Sequence, residues 1–237
     1  MPIRDALRTS VLSTKWRYSW RSMPKLAFME DMVEVLSSLP LMRKYKLIRA
    51  IFHVLFLHNG PTILKLRFPS HEFLMAFECD LIIGYLSRGN SVKKLKLITD
   101  KTYQLPASFF TLQGLETILL TNGVLELPLT FNGFSRLRKT VFVHVKVSAQ
   151  MLQRFFSKCP LLEYIVLIGD EQGIDSAAGG SKFTFVDLLR YVPLIKGLEV
   201  TEDYVKCLSA GGMPHKLPAS LAHLKYLFLE VCLMEHN

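Results

Sequence analysis

Val92-Lys93-Lys94-Leu95-Lys96-Leu97 and Leu115-Glu116-Thr117-Ile118-Leu119-Leu120 share one pattern: apolar, two residues, apolar, one residue, apolar. The pattern returns as Leu162-Glu163-Tyr164-Ile165-Val166-Leu167, as Ile195-Lys196-Gly197-Leu198-Glu199-Val200 and as Leu224-Lys225-Tyr226-Leu227-Phe228-Leu229. A degenerate copy, Leu137-Arg138-Lys139-Thr140-Val141-Phe142, lies between the second and third. Successive copies start 23, 22, 25, 33 and 29 residues apart. The last apolar pair of each copy alternates with period two, which fits a strand. One such unit cannot bury its own apolar face, so units must stack on one another.

A second element keeps the same phase. Leu105-Pro106 and Leu127-Pro128 follow their strands at a 22-residue spacing, and each is followed by phenylalanines, Phe109 and Phe110 in one unit, Phe131 and Phe134 in the next. Leu217-Pro218 precedes the last copy. A short strand, a proline turn and a return arm of Leu and Phe would fill a shared interior. The first three intervals match the 20–29-residue leucine-rich repeat. The expected fold is therefore α/β, a leucine-rich-repeat solenoid (a horseshoe) with irregular repeats of roughly 22–33 residues. Six unrelated apolar strands in another α/β fold are the alternative, disfavoured by the even spacing and the in-phase Leu-Pro pairs.

Helices are expected before and between the units. Arg4–Trp20 reads as one or two short helices, Met42–His58 as the strongest amphipathic helix, and Phe73–Ser87 and Gln150–Lys158 as two more. On the second of these, Leu47, Ile48, Ile51, Val54, Leu55 and His58 mark one face, and Asn59-Gly60-Pro61 ends it. Gly169–Ser181 is the best loop candidate.

The composition fits this reading. Half of the 237 residues are hydrophobic and 21% are charged, with mean hydropathy +0.25. The densest apolar stretch, Leu47–Leu57, is too short to span a bilayer and carries Arg49 and His53. The N-terminus has no apolar signal core, so no membrane partner is expected. Cys79, Cys159, Cys207 and Cys232 form no CxxC pair and read as small buried hydrophobes. The seven histidines do not cluster at ligand spacing, and Asp170, Glu171 and Asp175 do not fit a calcium loop. No catalytic, metal or cofactor motif stands out, so no enzyme, no metal and no cofactor is expected.

Lys and Arg outnumber Asp and Glu by 29 to 20, a net charge of +9. Many of the cations fall between the core positions of the repeats, where side chains would point onto the concave sheet. The expected target-binding face comprises Lys93, Lys94, Lys96, Glu116, Arg138, Lys139, Tyr164, Lys196, Glu199, Tyr226 and Phe228. It could serve an acidic protein or a phosphate backbone. Without a recognised motif, nucleic acid is the lesser of these.

The N-terminal string from Pro2 to Trp20, with Arg8-Thr9-Ser10-Val11-Leu12-Ser13 leading into Lys15-Trp16-Arg17 and then Trp20, resembles the second half of the F-box in plant F-box/FBD/LRR-repeat proteins. Leu57-His58-Asn59-Gly60-Pro61, Cys159-Pro160-Leu161-Leu162-Glu163, Leu208-Ser209-Ala210-Gly211-Gly212 and the segment from Leu217-Pro218 through Ser220-Leu221 and His223 to Lys225 look like phrases of the same family. The resemblance implies residues 1–25 as a partial F-box, 26–90 as the helical and strand N-terminal part of the repeat region, and 91–237 as leucine-rich repeats, irregular after 168. It implies a non-enzymatic substrate receptor of an SCF-type ubiquitin ligase, cytoplasmic or nuclear, with a Skp-type adaptor, a cullin and an unknown target as partners. Pro2, Ile3, Ala6, Val11, Leu12, Trp16 and Trp20 would belong to the F-box helices, for adaptor binding or internal packing.

A full F-box of this family opens with an apolar helix bearing a Leu-Pro start, whereas this chain opens at Met1-Pro2 and ends at Asn237, where relatives continue into the FBD region. The resemblance thus implies a scaffold shortened at both ends and adaptor binding that is weak or absent. One alternative is an interaction protein that keeps its target but not the ligase link. The other is a basic nucleic-acid-associated protein.

Overall fold

The structure, a computed structural model, describes residues 19–23, 25–28, 40–58, 65–67, 76–89, 92–169, 184–209 and 222–230. They form a mixed α/β architecture around one parallel sheet. The strands are β1 (Lys25–Ala27), β2 (Lys65–Arg67), β3 (Lys94–Gln104), β4 (Thr117–Val124), β5 (Lys139–Val143), β6 (Tyr164–Ile168), β7 (Gly197–Val200) and β8 (Tyr226–Leu229). Each pairs with its successor, so spatial order equals chain order. Helices α1 (Pro40–Leu57), α2 (Ala76–Ser87), α3 (Ala149–Ser157), α4 (Phe185–Tyr191) and α5 (Glu202–Ser209) lie in the connections. The β4–β5 connection contains neither helix nor strand, and that after β3 has only the 3-10 turn Ala107–Thr111.

The pairing register reproduces the sequence pattern. Leu95, Ile118, Thr140, Ile165, Leu198 and Leu227 form one row, and Leu97, Leu120, Phe142, Leu167, Val200 and Leu229 the next. From β3 to β7 both rows are buried. Both rows stay in register across the wide intervals between β6, β7 and β8. The extra length is therefore taken up in the connections, and the ladder itself does not slip.

The backbone just before each strand repeats one arrangement. The carbonyl of Lys93 accepts from the N–H groups of Glu116 and Thr117, and that of Glu116 from Arg138 and Lys139. Arg138 then accepts from Glu163 and Tyr164, Glu163 from Lys196 and Gly197, and Lys196 from Lys225 and Tyr226. Five copies of the same forked bond satisfy backbone groups that would otherwise be left bare where units meet.

The return arms supply the other side of the core. Phe109, Phe110, Phe131 and Phe134 are buried, with Phe155 and Phe156 of α3 and Phe142 of β5. Their rings meet edge-on, as Phe109 with Phe134 at 5.8 Å, or stacked, as Phe131 with Phe155 at 6.0 Å and 6°. α3 begins where the Ser148 side chain accepts from the Met151 N–H. α4 begins with a capping box, Thr184 and Asp187 bonding each other reciprocally.

The expected helices agree within a few residues: Met42–His58 with α1, Phe73–Ser87 with α2 and Gln150–Lys158 with α3. On α1, Ile51, Val54 and Leu55 are buried and Ile48 is half-buried, which is the face the periodicity marks. The Nε2–H of His58 donates to the Met23 carbonyl at 2.9 Å, tying the chain after α1 to the segment before β1. Most of Arg4–Trp20 lies outside the described residues; its last two begin the 3-10 turn Ser19–Ser22. Most of Gly169–Ser181 lies outside them too.

Thr140 is the flaw in the buried row. It is fully buried between Ile118 and Ile165, and its hydroxyl has no hydrogen-bond partner. A buried, unbonded hydroxyl costs about 1–3 kcal/mol. Thr140→Val keeps the shape and removes the hydroxyl, so it should stabilise the protein by about 1 kcal/mol. Urea unfolding followed by circular dichroism measures this, and an unchanged or lower midpoint contradicts it.

Candidate interaction face

Strand alternation divides the sheet. Leu95 and Leu97 are buried while Lys94 is exposed and Lys96 half-exposed. The row outside the core at the start of the strands holds Lys25, Lys94, Thr117, Lys139, Tyr164, Gly197 and Tyr226. The row two residues further on holds Lys96, Leu119, Val141, Val166, Glu199 and Phe228. Seven of the sequence-expected residues, Lys94, Lys96, Lys139, Tyr164, Glu199, Tyr226 and Phe228, thus share one face.

At its β1 end this face carries a depression of about 640 Å³. Lys25, Lys94, Lys96 and Lys139 stand around it with Glu116 and Thr117, and Leu119 and Val141 contribute its apolar lining. Next to it the ammonium of Lys139 lies 5.9 Å from the Tyr164 ring centroid. That ring lies against Gly197, where a Cβ would come within 2.8 Å of Tyr164 Cδ1. The missing side chain of Gly197 is what lets Tyr164 lie flat across β7.

Lys93, Glu116, Arg138 and Lys196 sit one position before their strands, on the forked backbone bonds. There they pair with neighbouring units. Lys93 reaches Glu116 at 3.2 Å. Glu163, which the pattern reading did not single out, takes Arg138 at 2.5 Å and Lys196 at 2.9 Å. The signs alternate from Lys93 through Glu116, Arg138 and Glu163 to Lys196, so each unit meets an opposite charge on the next.

The Lys196 hydrogen bond, helped by that of Arg138, holds the Glu163 carboxyl below its ordinary value of 4.5. A lowered folded pKa means that the pairing stabilises fully above about pH 4.5 and is lost as pH falls through the lowered value. With Arg138 and Lys196 well exposed, solvent screening keeps the contribution small. Glu163→Gln should cost about 1 kcal/mol at neutral pH. The gap between the two proteins should close in acid. Paired urea titrations at pH 7 and in acid read both effects, and a gap that persists in acid assigns the loss to something other than charge.

Pro2, Ile3, Ala6, Val11, Leu12 and Trp16 lie outside the described residues, and Trp20 is in the turn Ser19–Ser22. Cys79 and Cys159 are free and buried, and burial pushes both thiols up to about 12, which leaves them unreactive. Cys207 and Cys232 carry no described side chain. Among the described residues no group of His, Cys, Asp and Glu could hold a metal ion, and no helix is long and apolar enough to cross a membrane.

No family model matches the chain, and no solved structure matches it. Curated proteins do. An F-box/FBD/LRR-repeat protein of Arabidopsis thaliana is 29% identical over 98% of this chain and 65% of its own length. An FBD-associated F-box protein of the same plant is 25% identical over 98% of the chain and 50% of its own length. A second F-box/FBD/LRR-repeat protein is 26% identical over 70% of the chain and 39% of its own length. The chain spans about two thirds or less of the length of these relatives. Over 98% of its length this chain is similar to plant F-box/FBD/LRR-repeat proteins, and its strands stack in chain order as the recurring sequence pattern implies.

Proposed function

We propose that the chain is a non-enzymatic protein-interaction module, the substrate-recognition part of an SCF-type ubiquitin ligase. The sheet is read as a leucine-rich-repeat solenoid, and its open face as the surface that captures a target protein. The observation that carries this is the face itself. Charged and aromatic side chains stand in ordered rows on a sheet whose other side is packed core from β3 to β7. Such a face offers many anchoring groups on a rigid support, as recognition requires. The names of the relatives point to an adaptor role rather than to catalysis. The receptor forms no bonds; it raises the local concentration of target lysines near the conjugating enzyme.

The decisive experiment is affinity purification of the full chain from plant cells, followed by mass spectrometry. Co-purification of a Skp-type adaptor and a cullin with a recurrent third protein supports the receptor role. A recurrent target without adaptor or cullin moves the reading to an interaction protein without a ligase link. Recovery of nucleic acid in their place overturns both.

A further inference from the structure

The open face is not uniform along its length. Its cations gather at the β1 end, where Lys25, Lys94, Lys96 and Lys139 stand around one depression. Glu116 beside them is already held by Lys93. The register sets Lys25 beside Lys65 and Arg67 beside Lys96. Toward β8 the character changes. Tyr164, Tyr226 and Phe228 are 41%, 54% and 45% exposed, and Glu199 lies between Val166 and Phe228.

Resting on the reading of this face as the target-binding surface, we infer that it takes an extended, carboxylate-rich peptide segment of the partner. The acidic run lies over the lysines of β1 to β5, and apolar residues follow it onto Tyr164, Tyr226 and Phe228. Eight strands at the usual ~4.8 Å spacing span about 34 Å, the length of roughly ten extended residues. The basic end, β1 to β5, covers about 19 Å, or five to six of them. Glu199 repels a carboxylate at the other end, which fixes the direction of the segment. The described cations of the depression are all lysine. Lysine offers a point charge that attracts carboxylates and phosphates alike, so the choice between them rests on how the charge is distributed along the face. A nucleic acid carries charge evenly along its length, whereas this face is basic at one end only.

Panning a random 12-residue peptide library against the full chain tests this. The expected winners carry at least three Asp or Glu followed by Leu, Phe, Tyr or Val. A synthetic copy should bind about tenfold more weakly to the Lys25→Glu/Lys94→Glu/Lys139→Glu variant, since removing complementary charge weakens both approach and residence. It should also lose affinity on Tyr226→Ser/Phe228→Ser. The substituted side chains are exposed, and circular dichroism checks that both variants fold. Winners without acidic residues that still depend on Tyr226 and Phe228 overturn the acidic preference but keep the face as the target site. Winners indifferent to both variants overturn the face as well. Tighter binding of a 20-nucleotide single strand than of any selected peptide overturns the proposal in favour of nucleic acid.

Discussion

Phe155→Ala should lower the unfolding free energy by about 4 kcal/mol, within the range seen when a buried phenylalanine is cut back. Phe155 is fully buried at the end of α3. Its ring touches Phe131 at 6.0 Å, Phe134 at 6.1 Å, Phe142 at 5.5 Å and Phe156 at 5.6 Å. Those partners come from a return arm, from β5 and from α3 itself. The ring is thus where strand, arm and helix of adjoining units meet. Cutting it back leaves a void walled by four other rings. Such rings are held by several neighbours each, so they cannot close on the space.

Phe155→Leu should cost about 1.5 kcal/mol, because most of the volume stays. A double-mutant cycle with Phe131→Leu should show a coupling of about 0.5–1.5 kcal/mol, since the stacked pair contributes beyond its buried area. Urea unfolding followed by circular dichroism measures all of these. A loss below about 1 kcal/mol for Phe155→Ala would mean that the cluster does not pack as a unit.

How far the fold could be read in advance depends on the range of each signal. Leu95 with Leu97 and Ile165 with Leu167 announce strands locally, and the spacing of such pairs orders the sheet. β1 and β2 carry no such announcement. They are three residues long, and Leu26 is the buried apolar residue of β1. Lys25 therefore joins the open face only once the register is known. Phe109, Phe110, Phe131 and Phe134 were legible as return-arm fillers because they follow Leu-Pro in phase. Phe155 was legible only as part of a helix, because nothing local to it names its four partners.

Glu163 is a different kind of omission. The pairs it makes, to Arg138 and Lys196, cross 25 and 33 residues. The signal was nevertheless present, since the residue after the first apolar position alternates in sign over the first five units, from Lys93 to Lys196. Comparing that column down the repeats, rather than reading each repeat alone, would have found it. The same comparison separates Lys93, Glu116, Arg138 and Lys196, which link units, from Lys94, Lys96 and Lys139, which face outward.

Gly133→Ala should destabilise the protein by about 3 kcal/mol, the sum of two effects that no rearrangement of a side chain relieves. Gly133 has φ +93°, in the region that disfavours any residue with a Cβ. A Cβ there would lie 1.9 Å from the carbonyl oxygen of Lys158. That oxygen belongs to the C-cap of α3, whose N–H is bonded back to Phe155 and Phe156. It is therefore backbone, fixed by the helix carrying the central phenylalanine. Nor can the glycine retreat easily, because Gln113 of the preceding unit donates to its carbonyl at 3.1 Å.

Gly84 is a control that lacks both the positive φ and the close contact. That glycine lies inside α2, and the nearest atom to an added Cβ is Ser108 Oγ at 3.9 Å. Gly84→Ala should stabilise by about 0.5–1 kcal/mol, because helix interiors favour alanine. If both substitutions destabilise equally, glycine content rather than the Lys158 contact governs the response. Opposite signs at the two sites fit a return arm of one unit seated, at a positive φ, on the helix end of the next. That seating couples Gly133 to the ring cluster. In the Phe155→Ala background, where α3 is already loosened, Gly133→Ala should cost at least about 0.5 kcal/mol less than it does alone.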